Sequence, residues 1–195
     1  EAELSRLMGA ATDPSSKIAQ QWLAQDGKRW RPFLSICAFQ ALSDSSVAID
    51  DTVKKIAIAV ECFHKASLIH DDIEDEDATR YGKATLHEQH GVPIALNIGD
   101  LLLGEGYRLI ADCDAPAEIK AKLFSLAANG HRALCLGQGA ELNWARHPEK
   151  LKSLQVLEIF RQKTAPAFEI ALSMGAALAN APEGVFEVLN RYSES

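Results

Sequence analysis

Residues 51–77 read DTVKKIAIAVECFHKASLIHDDIEDED, from Asp51 to Asp77. Val53, Ile56, Ala57, Val60, Phe63, Leu68 and Ile69 form one long apolar face at helical spacing, which predicts a helix from Asp51 to about Asp75. The stripe then gives way to six carboxylates within His70–Asp77. Asp71 and Asp75 stand at i and i+4, so both project from one helical face. Like charges at that spacing repel, and Asp72 with Glu76 repeats the problem one residue on. The pattern makes physical sense if a hard cation sits against it. Oxygen-only ligation suits Mg²⁺, which keeps several waters and is usually shared with substrate phosphates. His64 lies two helical turns before Asp71 on the same face, roughly 10 Å along the axis.

Outward from this helix the pattern stays helical nearly throughout. Ile18, Trp22 and Leu23 are spaced for a helix over 17–25, and Phe33 to Leu42 for one that starts at Pro32. Tyr81-Gly82 and Gly91-Val92-Pro93 punctuate the next stretch. Residues 94–111 are apolar nearly all round, which predicts a central, fully surrounded helix. Its glycines, Gly99, Gly104 and Gly106, are expected to permit close helix–helix approach. Pro116 opens a helix towards Trp144, and 149–180 form another with Pro166 inside it, next to Lys163 and Thr164. No alternating strand pattern of useful length is present. The expected fold is all-α, in a single domain over residues 1–195.

Composition bounds the function. A formal net charge of −7 argues against general nucleic-acid binding, which needs a basic face. No stretch of about 18 uninterrupted apolar residues predicts a membrane-spanning helix. Cys37, Cys62, Cys113 and Cys135 show no CxxC spacing and lie in apolar contexts, so they read as small buried hydrophobes in a reducing, cytoplasmic setting. Both ends look abrupt, without helix start or stop signals, and read as a truncated chain.

A second cluster, Gly27-Lys28-Arg29-Trp30-Arg31-Pro32, holds three cations between a glycine and a proline. Lysine offers a point charge and arginine a planar fork that engages phosphate oxygens in pairs. A solvated basic loop is the ordinary fate of such a run, but the overall acidity of the chain makes a concentrated basic hexamer less expected. Glu61, Lys65, Lys83 and Glu88 are expected on the surface, Trp22, Trp30 and Trp144 in packing or at a cleft rim, and His70 in helix packing.

Together these motifs resemble the trans-polyprenyl (isoprenyl) diphosphate synthases. The first aspartate-rich motif of that family, DDxxD, matches Asp71-Asp72-Ile73-Glu74-Asp75, and its GKRxRP motif matches Gly27 to Pro32. Its Arg-Gly-Lys-x-Thr pattern matches in part at Arg80 to Thr85, and Gly99 to Leu103, Gly137-Gln138 and Lys163-Thr164 follow in family order. The resemblance implies a helical bundle of the isoprenoid-synthase type around a central apolar cavity, and a homodimer. It implies that Lys28, Arg31 and His64 bind the diphosphate of isopentenyl diphosphate. Asp71 and Asp75 would ligate Mg²⁺ shared with the allylic diphosphate, which Arg80, Lys163 and Thr164 would contact. Two departures stand out. Tyr81 occupies a position where many relatives carry a second arginine that helps bind isopentenyl diphosphate, and the second aspartate-rich motif of the family is absent. The 195 residues alone are therefore expected to be inactive. Small residues at Ser67 and Ala66, where related enzymes carry bulky aromatics that stop elongation, point to a product of C20 or longer, with Phe63 as an alternative floor. Two other readings remain open: an inactive regulatory subunit of a heteromeric synthase, and a terpene synthase. The basic loop disfavours the latter.

Overall fold

The computed structural model describes residues 2–25 and 27–194. Among these the chain forms helices α1 (Ala2–Met8), α2 (Pro14–Ala24), α3 (Trp30–Leu42), α4 (Asp51–Glu74), α5 (Leu86–His90), α6 (Val92–Ala111), α7 (Ala117–Arg146), α8 (Ser153–Leu178) and α9 (Glu183–Glu194). Between α4 and α5 lies a hairpin of two short strands, β1 (Thr79–Arg80) and β2 (Lys83–Ala84). The fold is all-α, as the periodicity predicts. Local chemistry sets the boundaries. Asp13 caps α2 by accepting from the Ser16 N–H at 3.0 Å, with Pro14 in the first turn. Asp50 caps α4 through the Val53 N–H at 3.0 Å. Helix α3 begins two residues earlier than expected, which leaves Pro32 in the first turn, where a missing N–H costs nothing.

The described residues divide into two compact units. The first takes the residues up to Pro32 together with Asp50–Asp114. In it α4 packs along α6, and α2 packs on both. Close approach needs two of the three glycines of α6. A methyl group at Gly99 would overlap the His70 ring, and one at Gly106 would overlap Phe63, which also meets Tyr107 edge-on at 5.1 Å. Gly104 faces open space, so the expectation fails there. It also fails for the surroundings of α6. Ile98, Leu102, Leu109 and Ile110 are wholly buried, but Ile94 and Leu96 are 46% and 47% exposed. The helix carries more apolar surface than the face it turns to α4 and α2.

The second unit takes Phe33–Ile49 and the residues from Ala115 on. Here α7 and α9 pack on α8. Pro166 has no N–H for the Gln162 carbonyl four residues earlier. At that level the Gln162 backbone lies against Gly137 of α7, where a Cβ would stand only 2.7 Å from it. The helix nonetheless runs through Pro166 unbroken. Residues 171–177 of α8 are buried on every face, with Gly175 against the Ser35 carbonyl of α3. Among the described residues no helix is long and apolar enough to cross a membrane.

The two glycines of α6 that differ in surroundings should respond oppositely to one methyl group. Gly106→Ala should cost roughly 1–3 kcal/mol through overlap with Phe63. Gly104→Ala should be neutral or stabilise by up to about 1 kcal/mol. Urea unfolding of both variants measures the contrast.

Candidate functional site

Helix α4 ends by concentrating negative charge where its own dipole is already negative. Asp71, Asp72 and Glu74 occupy the last turn, no basic residue joins them there, and Asp75 is the C-cap. The Asp75 N–H donates to the Asp71 carbonyl at 2.8 Å, so the one-turn register between these two carboxylates is kept. Glu76 then takes φ +55°, and the Asp77 N–H donates back to the Asp72 carbonyl at 2.9 Å. Asp75 is exposed and Asp71 half-buried, whereas Asp72 is 1% exposed. Asp72 and Glu76 therefore do not form the second repelling pair expected from spacing, because Glu76 lies beyond the helix end.

One cation that answers this charge is Arg80, brought back by the hairpin. Thr79 pairs with Ala84 and Arg80 with Lys83, and Tyr81-Gly82 makes the turn with φ of +54° and +74°. Arg80 donates through Nε to Asp72 and lies 3.4 Å from Asp71 Oδ2. Burial raises the Asp72 carboxyl above the usual carboxylate range, and its hydrogen bond from Arg80 pulls the other way. Asp72 Oδ2 is buried with no hydrogen-bond partner among the described residues. Among the described residues no group of three or more His, Cys, Asp or Glu is arranged to hold a metal ion. The pair Asp71 and Asp75 fits Mg²⁺, which takes one or two carboxylates and completes its shell with waters and phosphate.

At the other end of this face His64 meets the basic loop. Arg31 Nη1 lies 3.1 Å from His64 Nε2. A guanidinium only donates, so Nε2 accepts and the imidazole is neutral. Burial, then the charges of Arg31, Lys65, Arg80 and Arg29, push the His64 pKa down to about 3. Lys28 is exposed at the start of the loop. Arg29 departs from the expected three-cation site. With φ +52° it turns inward, donating to the Leu23 and Gln25 carbonyls at 2.8 Å each and pairing with buried Glu61. It holds the loop rather than facing solvent.

Glu61 and Lys65, expected on the surface, are 5% and 0% exposed. Their register gives the signal that was missed, since Glu61, Lys65, Ile69 and Asp72 follow one another at helical spacing on the buried side. Trp22 is buried, while Trp30 and Trp144 are 55% and 40% exposed. His70 packs on Gly99 as expected, 3.6 Å from Asp100. Cys62 and Cys113 are buried, but Cys37 is half-buried and Cys135 exposed, against the expectation for all four. In the second unit Lys163 of α8 is paired with Glu141 of α7, and Thr164 beside it is exposed.

The profile of the family described as Polyprenyl synthetase matches residues 13–195. The chain belongs to the polyprenyl synthetase family. It is 33% identical over 178 residues to the geranylgeranyl pyrophosphate synthase of Geoglobus acetivorans, which covers 90% of this chain and 54% of that protein. It is 32% identical over 177 residues to the farnesyl diphosphate synthase of Escherichia coli, covering 87% and 57%. A crystal structure of geranylgeranyl pyrophosphate synthetase from Pyrococcus horikoshii matches with a TM-score of 0.88 at 28% identity, over 99% of this chain and 58% of that one. The chain thus spans little more than half the length of these relatives.

This geometry has measurable outcomes. The His64 ring, whose unfolded pKa is about 6.5, should show flat NMR shifts from pH 8 to about 4.5 in the unliganded protein. Because its folded pKa is lowered, the unfolded chain binds the extra proton between about pH 3 and 6.5. This residue therefore makes stability rise with pH through that window and level off above it. Arg29→Met should cost roughly 2–4 kcal/mol in chemical denaturation because it strands the Glu61 carboxylate, while Lys28→Met stays within about 0.5 kcal/mol.

Proposed function

We propose that this domain belongs to a Mg²⁺-dependent prenyltransferase. The enzyme condenses an allylic prenyl diphosphate with isopentenyl diphosphate to give a trans-polyprenyl diphosphate of C20 or longer. One observation carries the reading. A single face of α4 bears the Arg31–His64 contact at one level and, two turns on, the carboxylates of Asp71 and Asp75. Two anionic groups can be gripped along that face by opposite means, one by cations and one through a metal.

Lys28, Arg31 and His64 bind the diphosphate of isopentenyl diphosphate in this reading. His64 starts neutral, and an arriving diphosphate favours its protonation by offsetting the charges that now suppress it. Asp71 and Asp75 hold Mg²⁺, which when bound supplies charge stabilisation for a departing diphosphate. Arg80, anchored by Asp72, adds a donor beside Asp71 for the same phosphate. For Lys163 and Thr164 the allylic-diphosphate role rests on the family resemblance. The allylic carbon–oxygen bond breaks with its electron pair leaving on diphosphate. The isopentenyl double bond supplies the electrons of the new carbon–carbon bond, and loss of a proton restores an alkene. Apolar surroundings keep water from the allylic cation.

Chain length rests on Ser67, which is exposed with its hydroxyl donating to the His64 carbonyl at 2.8 Å. Ala66 is wholly buried and Phe63 is packed into α6, so both serve helix packing. A cytoplasmic homodimer is part of the proposal, with Val92 and Leu96 of α6 offering exposed apolar surface one turn apart.

Incorporation of labelled isopentenyl diphosphate tests the assignment. In the full-length protein Asp71→Ala or Asp75→Ala should lower turnover roughly a thousandfold or more, and chelation of Mg²⁺ should abolish it. Variants that incorporate label at the parent rate would overturn the assignment, and a parent that incorporates none would instead favour a regulatory subunit with no chemistry of its own.

A further inference from the structure

Thr85 is wholly buried and stands at the N-cap of α5. A threonine hydroxyl in that position ordinarily accepts from an N–H of the first turn. Here it makes no such bond, and α5 starts without a side-chain cap. The hydroxyl instead donates backwards to the Asp77 carbonyl at 2.8 Å, while the Thr85 N–H donates to the Ala78 carbonyl at 3.1 Å. The second of these bonds carries the hairpin ladder one step beyond the pair of Thr79 with Ala84. A hydroxyl withheld from its helix and sealed from water thus serves the base of the hairpin.

Asp77 is where that bond takes effect. Its N–H donates to the Asp72 carbonyl in the last turn of α4, and its own carbonyl accepts from Thr85. Its main chain is therefore held on both sides, with its carboxylate 3.6 Å from the Arg80 guanidinium. The backbone around it does not favour this shape by itself. Glu76 and Tyr81 take φ of +55° and +54°, a region that residues other than glycine seldom occupy. Such conformations persist where the surroundings over-determine them. Between these two residues lies Arg80, whose guanidinium reaches both Asp72 and Asp71. Its placement depends on how firmly the base of the hairpin is joined to the end of α4.

We infer that Thr85 is a positioning residue for the allylic diphosphate site, fixing Arg80 beside Asp71 by tying the base of the hairpin to Asp77. The inference rests on the function proposed above and deepens it. Thr85 acts through the hairpin and not by contact with substrate. A guanidinium already in place needs no ordering when the diphosphate arrives, so the hydroxyl contributes to affinity from a distance.

The test uses the full-length protein, with farnesyl diphosphate as the allylic probe in calorimetry with Mg²⁺, alongside steady-state kinetics. Thr85→Val keeps the shape and removes the hydroxyl, whereas Thr85→Ser keeps the hydroxyl. Thr85→Val should weaken allylic binding about fivefold and raise the allylic KM, while the KM for isopentenyl diphosphate moves less than about twofold. Thr85→Ser should recover most of the loss. Parent-like allylic binding in Thr85→Val, or an equal rise in both KM values, would overturn the inference and leave the functional reading standing. A parent protein that binds no farnesyl diphosphate would overturn both. Should Thr85→Val lose cooperative melting, Thr85→Cys decides, because a thiol is a weaker donor of similar size. Several-fold weaker allylic binding supports the inference, and unchanged binding overturns it.

Discussion

Crowding of negative charge at the carboxyl end of α4 is the constraint to which the rest of the first unit answers. A helix terminus of that polarity favours cations, yet the sequence puts Asp71, Asp72 and Glu74 in the last turn and Asp75 at the cap. The arrangement persists because α4 is held along its length by something else, namely its apolar face against α6 and α2. Burial of Ile56, Val60 and Ile69 outweighs the local repulsion. Burial along the whole helix supplies the stability, and the carboxylates gather at its last turn.

The opposite end of the same face works with an inverse logic. Arg29 and Glu61 form a pair that fixes the loop, and this leaves Arg31 directed at His64. Desolvation then keeps His64 uncharged beside a guanidinium. The three cations of the loop divide the work, in that Lys28 faces solvent, Arg29 anchors, and Arg31 meets the imidazole.

The helices were legible because their evidence is periodic. The apolar positions of α4 return every three or four residues, and the bounds from Asp51 to Glu74 follow within a residue. The acidic and basic motifs were legible as chemistry for the same local reason. Three things were not. Glu61 and Lys65 share the buried register of α4, but charge ordinarily signals solvent, and it takes tertiary partners, Arg29, Trp22 and Tyr81 among them, to hold them inside. The inward turn of Arg29 depends on a positive φ that no residue preference announces. Strands of two residues are too short to alternate, so the hairpin showed only as the punctuation of Tyr81-Gly82. For α6 the composition revealed how apolar the helix is, but not how many neighbours it has.

The hairpin also limits how this gene can drift. Arg80 reaches Asp72 because a two-residue turn fixes the register of Thr79 with Ala84 and Arg80 with Lys83. Pairing alternates sides with every residue, so adding or deleting a single codon between Asp77 and Thr85 would swing the guanidinium to the opposite face. Substitutions can accumulate at exposed positions of this segment such as Ala78 and Lys83, whereas changes of length cannot.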